Sequence, residues 1–284
     1  MKRSLKLMLV LGFVALLSGC STVDFSMPSG FSHGARKDLI RMKFAEPQSN
    51  VQLSASQKSA LLELPKTTMI SNKRFVVLAG SKGELTGMEN YDFEIRPYAD
   101  LTQVSSQRYH GYGCIIKLDV RLNDKTAGAY EDGFVIKDGF ALEKTNNRIG
   151  SSGYTMDWNL VFSKAYFKAL KQMNAKIREI YPICGTVINF KNKVEKMEFQ
   201  IDRGTNYGIE KNDEFVVYYV DSDESITIVA LAKGMIGRER SYLTVTHWNT
   251  QDSEVLHEIM PRIRRGDKKL LGNLFVVCRQ PRKK

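Results

Sequence analysis

Apolar and polar positions alternate most regularly between residues 112 and 136. Ile116, Leu118, Val120 and Leu122 fall on one side of the chain, with Lys117, Asp119 and Arg121 on the other. A period of two is what a strand with one buried face requires. Asn123-Asp124-Lys125-Thr126-Ala127-Gly128 is turn chemistry and residues 129–136 return, so the segment predicts a β-hairpin. Shorter runs at residues 74–79 and 91–95 predict two further strands. Helical spacing occurs twice. Residues 54–64 predict a helix capped by Ser54 and stopped by Pro65, with Ala60, Leu61 and Leu64 on one side. Residues 156–180 predict a longer one. Its buried stripe is Trp158, Val161, Phe162, Ala165, Ala169, Met173, Ile177 and Ile180, and its solvated face carries Lys164, Lys168, Lys171, Lys176 and Arg178.

Pro182 ends this pattern and marks a boundary. Beyond it come short β runs punctuated by glycine turns, at residues 185–190, 197–202, 214–220, 226–233, 241–246 and 274–278. Such a series predicts a small barrel. The fold class expected is α+β: a domain with one long helix over residues 38–182, then a small SH3-like β-barrel over 183–284.

Charge changes the picture at the two ends. The 284 residues carry 42 basic and 31 acidic side chains, a formal net charge of +11. Lys2, Arg3 and Lys6 stand at the start. Nine basic residues, from Arg262 to Lys284, stand at the end with Asp267 as their one acid. The thirty basic and thirty acidic residues of positions 20–261 cancel. A basic face for nucleic acid is therefore not implied, and no nucleic-acid partner is expected.

The first cluster precedes the apolar run of residues 7–17, which ends in Leu17-Ser18-Gly19-Cys20. A charged start, a short apolar run and small residues at a cut site are the anatomy of a secretory signal. Eleven helical residues reach about 16 Å, against a hydrocarbon core of about 30 Å. Residues 17–20 resemble the lipobox of bacterial lipoproteins. The resemblance implies removal of residues 1–19, a diacylglyceryl thioether on Cys20 and a further acyl chain such as palmitate on its amine. More than one chain is what stable anchoring needs. Ser21, where the lipoprotein family uses Asp for inner-membrane retention, implies the outer membrane. Residues 20–37, rich in Ser, Gly and Pro, are expected to form a flexible lipidated tether.

Catalytic signatures are missing. His33, His110, His247 and His257 form no metal-ligand spacing, Gly80-Ser81-Lys82-Gly83 matches no phosphate loop, and no G-x-S-x-G occurs. No enzyme activity, metal or cofactor is expected. Cys114, Cys184 and Cys278 remain, an odd count that allows at most one internal bridge. First and last strands of a closed barrel are often neighbours, so a Cys184–Cys278 disulfide is the expectation. The alternative is three buried thiols acting as small apolar side chains. Residues 280–284 read as a solvated tail. A functional alternative lets Arg279, Arg282, Lys283 and Lys284 contact anionic envelope polymer or lipid head groups.

The second half also resembles a family. Pro182-Ile183-Cys184-Gly185-Thr186-Val187, Ile201-Asp202-Arg203-Gly204, Tyr207-Gly208-Ile209, Asn212-Asp213-Glu214-Phe215-Val216-Val217 and Ile263-Arg264-Arg265-Gly266-Asp267 resemble the C-terminal barrel of the flagellar assembly protein T (FlgT) family. Asn212 stands where that family's turn carries glycine. The preceding hairpin and long helix are similar to the periplasmic α+β domain of that family and of the lipoproteins CsgG and LpoB. The resemblance implies a structural or assembly factor of an envelope machine, flagellum-like or secretion-like, on the periplasmic face of the outer membrane. Its partners would be the membrane, through Cys20, and envelope proteins, with room for self-association. The LpoB likeness leaves a second reading, a regulator of a peptidoglycan synthase.

Overall fold

A computed structural model describes residues 23–79, 91–105, 110–123, 130–145, 158–193 and 196–279. The leader, Cys20, the 124–128 turn, the 80–83 loop, Arg282, Lys283 and Lys284 lie outside the described residues. The protein is α+β, with helices on an open sheet followed by a closed six-stranded barrel.

The first module runs β1 (Ile40–Phe44), β2 (Gln48–Ser49), α1 (Ala55–Met69), β3 (Phe75–Ala79), β4 (Phe93–Ser105), β5 (His110–Asn123), β6 (Tyr130–Thr145) and α2 (Trp158–Ile180). Its sheet has the order β3-β1-β4-β5-β6, with β2 also pairing β4. β1 is parallel to both neighbours, so α1 lies in the crossover from β1 to β3. β4, β5 and β6 form an antiparallel meander. Alternation places Ile40, Met42 and Phe44 of β1 and Cys114, Ile116, Leu118 and Val120 of β5 on the buried face. The two helices close that face.

In α1, Ser54 and Gln57 form the reciprocal capping box that holds the first turn. Pro65 does not stop this helix, which continues to Met69. The ring removes one backbone donor, but Leu61, Pro65 and Met69 recur every four residues on the buried side, and that packing carries the helix through. In α2 the buried positions are Val161, Phe162, Ala165, Tyr166, Ala169, Leu170, Met173 and Ile177. Ile180, expected on this stripe, is 40% exposed. Arg178, expected in solvent, is buried, because the last turn of α2 runs past the sheet and meets the barrel.

The barrel strands are β7 (Cys184–Lys193), β8 (Lys196–Ile201), β9 (Glu214–Val220), β10 (Ile226–Ile236), β11 (Ser241–Trp248) and β12 (Leu274–Arg279). They close in the order β7-β8-β11-β10-β9-β12. The interior is filled by Val187, Phe199, Ile201, Phe215, Val217, Val229, Leu243 and Val276. A helix the sequence reading did not foresee, α3 (Glu254–Arg264), connects β11 to β12 and drives Leu256, Ile259 and Ile263 into that interior. Gly234 of β10 sits where a Cβ would lie 1.8 Å from the Tyr242 carbonyl oxygen, so only glycine lets β10 and β11 approach there.

Candidate functional site

Two features stand out once the modules are in place: a buried charged junction between them, and the seat of the N-terminal segment on the barrel.

At the junction, the guanidinium of Arg178 donates to Asp213 Oδ2 at 2.7 Å and to Cys278 Sγ at 3.1 Å. Both charged side chains are almost fully enclosed, at 5% and 3% exposure. Asp213 also accepts from the Glu210 backbone N–H at 2.7 Å, which fixes the loop before β9. Burial works against the Arg178 charge, but Cys278 and the Asp213 carboxylate outweigh it and raise the pKa. Arg74, just before β3, reaches across to the backbone carbonyls of Tyr181 and Pro182. It has no carboxylate partner in hydrogen-bond reach among the described residues, and burial pushes its pKa down to about 10. Around these two arginines, the Lys73 backbone N–H donates to Asn206, Lys73 pairs with Glu239, and Arg203 pairs with Asp38. The crossing from α2 into β7 is thus clamped from both modules.

The second feature corrects the expectation of a flexible tether. Residues 23–37 lie along the outer wall of β9 and β12. That wall is apolar on its outer side as well as its inner one: Cys184, Val216, Tyr218, Val220, Leu231, Phe275 and Val277 form a separate cluster. Phe25, Met27 and Phe31 pack onto it. Phe31 meets Tyr218 edge-on at 5.6 Å between ring centres. The His33 ring lies tilted against Phe275 with centres 4.5 Å apart, and its Nδ1 is 3.0 Å from the Tyr218 hydroxyl. Arg36 lies over Phe275 at 5.0 Å. At the far end Arg279 donates to the Asp24 backbone carbonyl at 2.8 Å and pairs with Glu214. At the near end Lys37 pairs with Asp92 at 2.6 Å and covers the Tyr181 ring. Composition alone hides this seat, because three apolar residues scattered among Ser, Gly and Pro carry no period.

The site residues expected from sequence separate in the structure. β12 does lie beside β7, but the register sets Val277, not Cys278, opposite Cys184. Opposed residues share a face and neighbours alternate. Cys184 therefore points to the outer cluster and Cys278 to the interior. Both are free, as is Cys114, and the expected disulfide is not formed. Burial pushes the Cys184 thiol up to about 11 and Cys114 to about 12, and raises Cys278 as well. Thiols held protonated in this way are poor nucleophiles and poor metal ligands. Arg279, which the functional alternative would have face an anionic polymer, is paired with Glu214 and Asp24. Burial alone would raise the Glu214 carboxyl, yet Arg279 and Lys233 hold it below the usual carboxylate range.

Among the described residues no group of three or more His, Cys, Asp or Glu could hold a metal ion. Open grooves among the described residues include two. One of about 290 Å³ runs between Met69, Phe75, Phe167 and Leu170, with Asn72 and Thr205 at its end. The other, about 440 Å³, lies beside β2 against Tyr98 and Lys58. Glu46 and Ser49 also line this second groove, and Lys58 Nζ lies 3.7 Å from the Glu46 carboxylate.

No family model matches the sequence, and a comparison with curated proteins returns no match. Among solved structures the chain is similar to the hypothetical protein CT253 from Chlamydia trachomatis, with 10% identity and a TM-score of 0.33 over 50% of this chain and 97% of the other. A neuraminyllactose-binding hemagglutinin homolog from Helicobacter pylori matches at 13% identity and TM-score 0.35, over 55% of this chain and 91% of its own. Lipoprotein GNA1162 from Neisseria meningitidis matches at 12% identity and TM-score 0.28, over 48% of this chain and 99% of its own. The likeness is loose and covers about half of this chain.

Proposed function

We propose that this protein is a lipid-anchored structural or assembly factor of a bacterial envelope machine, held through Cys20 on the periplasmic face of the outer membrane. The observation that carries the reading is the seat of residues 23–37 on the barrel. A chain anchored at Cys20 and docked from Asp24 onward has only a few residues of free reach. Four residues span at most about 14 Å. The barrel would stand close to the membrane, and the clamped junction would hold the open sheet and its grooves at a fixed distance and angle. Positioned binding surface of this kind is what a scaffold supplies. The turn pattern of residues 182–217 and 263–267, which resembles the flagellar assembly protein T family, favours a flagellum-like or secretion-like machine.

The test is cross-linking in intact cells followed by recovery of the protein through a C-terminal tag. Recovery of components of one envelope machine is the expected result. Recovery of a peptidoglycan synthase whose rate changes when the purified body is added would replace this reading with the regulatory one. Recovery of neither class would overturn both. Mass spectrometry of the membrane fraction checks the anchor, since an unmodified Cys20 in that fraction would remove the lipid-anchored part.

A further inference from the structure

The groove of about 290 Å³ is built by one stripe of α2 facing the C-terminal end of α1. Phe167, Leu170, Lys171 and Asn174 follow one another at steps of three, one and three residues, so they share one side of the helix. Leu170, with Met69 of α1 and Phe75 of β3, gives the groove a buried apolar floor. Phe167 lines it as well, yet is 60% exposed in the middle of α2. Ile70, between the lining residues Met69 and Ser71 in the chain, is 82% exposed. Large apolar side chains left in water beside a groove mark a place for a partner. Polar groups stand next to them. Asn72 Oδ1 accepts from the Arg74 backbone N–H at 3.1 Å, but the Asn72 amide nitrogen has no hydrogen-bond partner among the described residues. The whole Asn174 amide, half-buried on α2, has none there either.

Charge then decides what kind of partner fits. No lining residue is acidic, and Lys171, the cation that lines the groove, has no ion-pair partner among the described residues. α2 carries no acid before Glu179, and that one is held by Lys176. Lys164 and Lys168 are exposed on the same helix, as Phe167 and Lys171 are. Positions 20–261 are formally neutral, so this is a local excess and not a basic body. We infer that the groove takes an acidic peptide segment of a partner protein. One aromatic or branched apolar side chain enters against Phe167 and Leu170, a neighbouring carboxylate meets Lys171, and the Asn72 and Asn174 amides bond the peptide backbone. An anionic polysaccharide supplies the charge but no side chain for the apolar floor. Complementary charge of this kind selects the partner and fixes its register, while the apolar anchor holds it. The inference deepens the scaffold reading above and rests on it for the partner being an envelope protein.

The test uses the whole protein, immobilised through a C-terminal tag, and a phage library of short random peptides. Selected peptides should be rich in Asp and Glu around one Phe, Trp, Leu or Ile. Synthetic copies should bind with an affinity that falls as salt rises. Phe167→Gln should weaken them by about tenfold or more, as loss of a central aromatic contact does. Lys171→Glu should weaken them by about fivefold, and selection on that variant should turn to peptides rich in Lys and Arg. Both side chains are exposed, so both variants should keep the parent's thermal midpoint. Selection without acidic enrichment, or binding unchanged in Phe167→Gln, overturns the inference. Other occupants give other results. Self-association in sedimentation that is lost in Phe167→Gln assigns the groove to a second copy. Displacement of the peptide by phosphatidylglycerol vesicles assigns it to a lipid surface. Slow maleimide labelling of Phe167→Cys shows it already filled by this chain. Each of these overturns the inference too. If the cross-linking above recovers no envelope machine, the scaffold reading fails while the peptide result stands by itself, so the two failures are distinguishable.

Discussion

Replacing Asp213 by Ala leaves the Arg178 guanidinium enclosed without its counter-charge. What remains near it is Cys278 Sγ at 3.1 Å, a weak acceptor, and Glu210 at 3.5 Å, whose side chain is 64% exposed and well hydrated. The pair itself is 5% and 3% exposed, so solvent neither screens it nor rescues the orphaned charge. Breaking such a pair from one side costs about 3–5 kcal/mol. Urea denaturation of the body should show this as a lower midpoint with an unchanged slope. Because the pair joins α2 to the loop before β9, a second signature is expected. Fluorescence and far-UV circular dichroism should report coincident transitions in the parent and separated ones in Asp213→Ala, as the barrel and the sheet module unfold apart. The companion variant Arg178→Met removes the need for the carboxylate. The double variant Arg178→Met/Asp213→Ala should recover much of the loss, with a coupling of about 2 kcal/mol or more in the cycle. A loss under about 1 kcal/mol in Asp213→Ala, with coincident transitions, would refute the view that this pair binds the modules together.

Four further outcomes are expected. Burial, together with Arg36, lowers the His33 pKa, with Glu224 acting weakly the other way; the undocked segment thus binds a proton more tightly than the docked one. Docking of residues 24–36 is complete above the ordinary histidine range and weakens as pH falls through about 6.5. Hydrogen exchange corrected for intrinsic rates should show this, and a pH-independent protection pattern would count against it. Gly234→Ala should destabilise the barrel by at least about 2 kcal/mol, measured by thermal unfolding, because the added carbon meets the Tyr242 carbonyl. The Tyr166 hydroxyl is fully buried without a hydrogen-bond partner among the described residues. Tyr166→Phe should therefore be neutral or stabilising by up to about 1 kcal/mol, read by the same scan. Finally, iodoacetamide should modify Cys114, Cys184 and Cys278 slowly in the folded body at neutral pH and rapidly in urea, and peptide mapping without reductant should recover all three as free thiols.

How much of this was legible in advance follows from how each feature is encoded. Strand β5 and the long helix α2 follow from periodicity, a local property that a face buried against any apolar layer must show, and the six barrel strands from short apolar runs bounded by glycine turns. The Ser54 cap is equally local. Pro65 misleads because the cost of its missing donor is local while the packing of Leu61 and Met69 that offsets it is not. α3 carries a local signal as well, since Leu256, Ile259 and Ile263 recur at three- and four-residue steps.

Residue order alone carries the alternation, the helical stripes, the neutral body between two basic ends and the lipobox-like start. The folded arrangement settles which charges are buried, which thiols can meet and where the N-terminal segment rests. Arg178 and Asp213 are 35 residues apart, His33 and Tyr218 are 185 apart, and Asp24 and Arg279 are 255 apart. No period relates such positions. A single step of strand register sends Cys184 outward and Cys278 inward, and only the closed barrel fixes that register. Burial and partner choice are properties of surfaces brought together by the fold, so they become readable only when the surfaces have met.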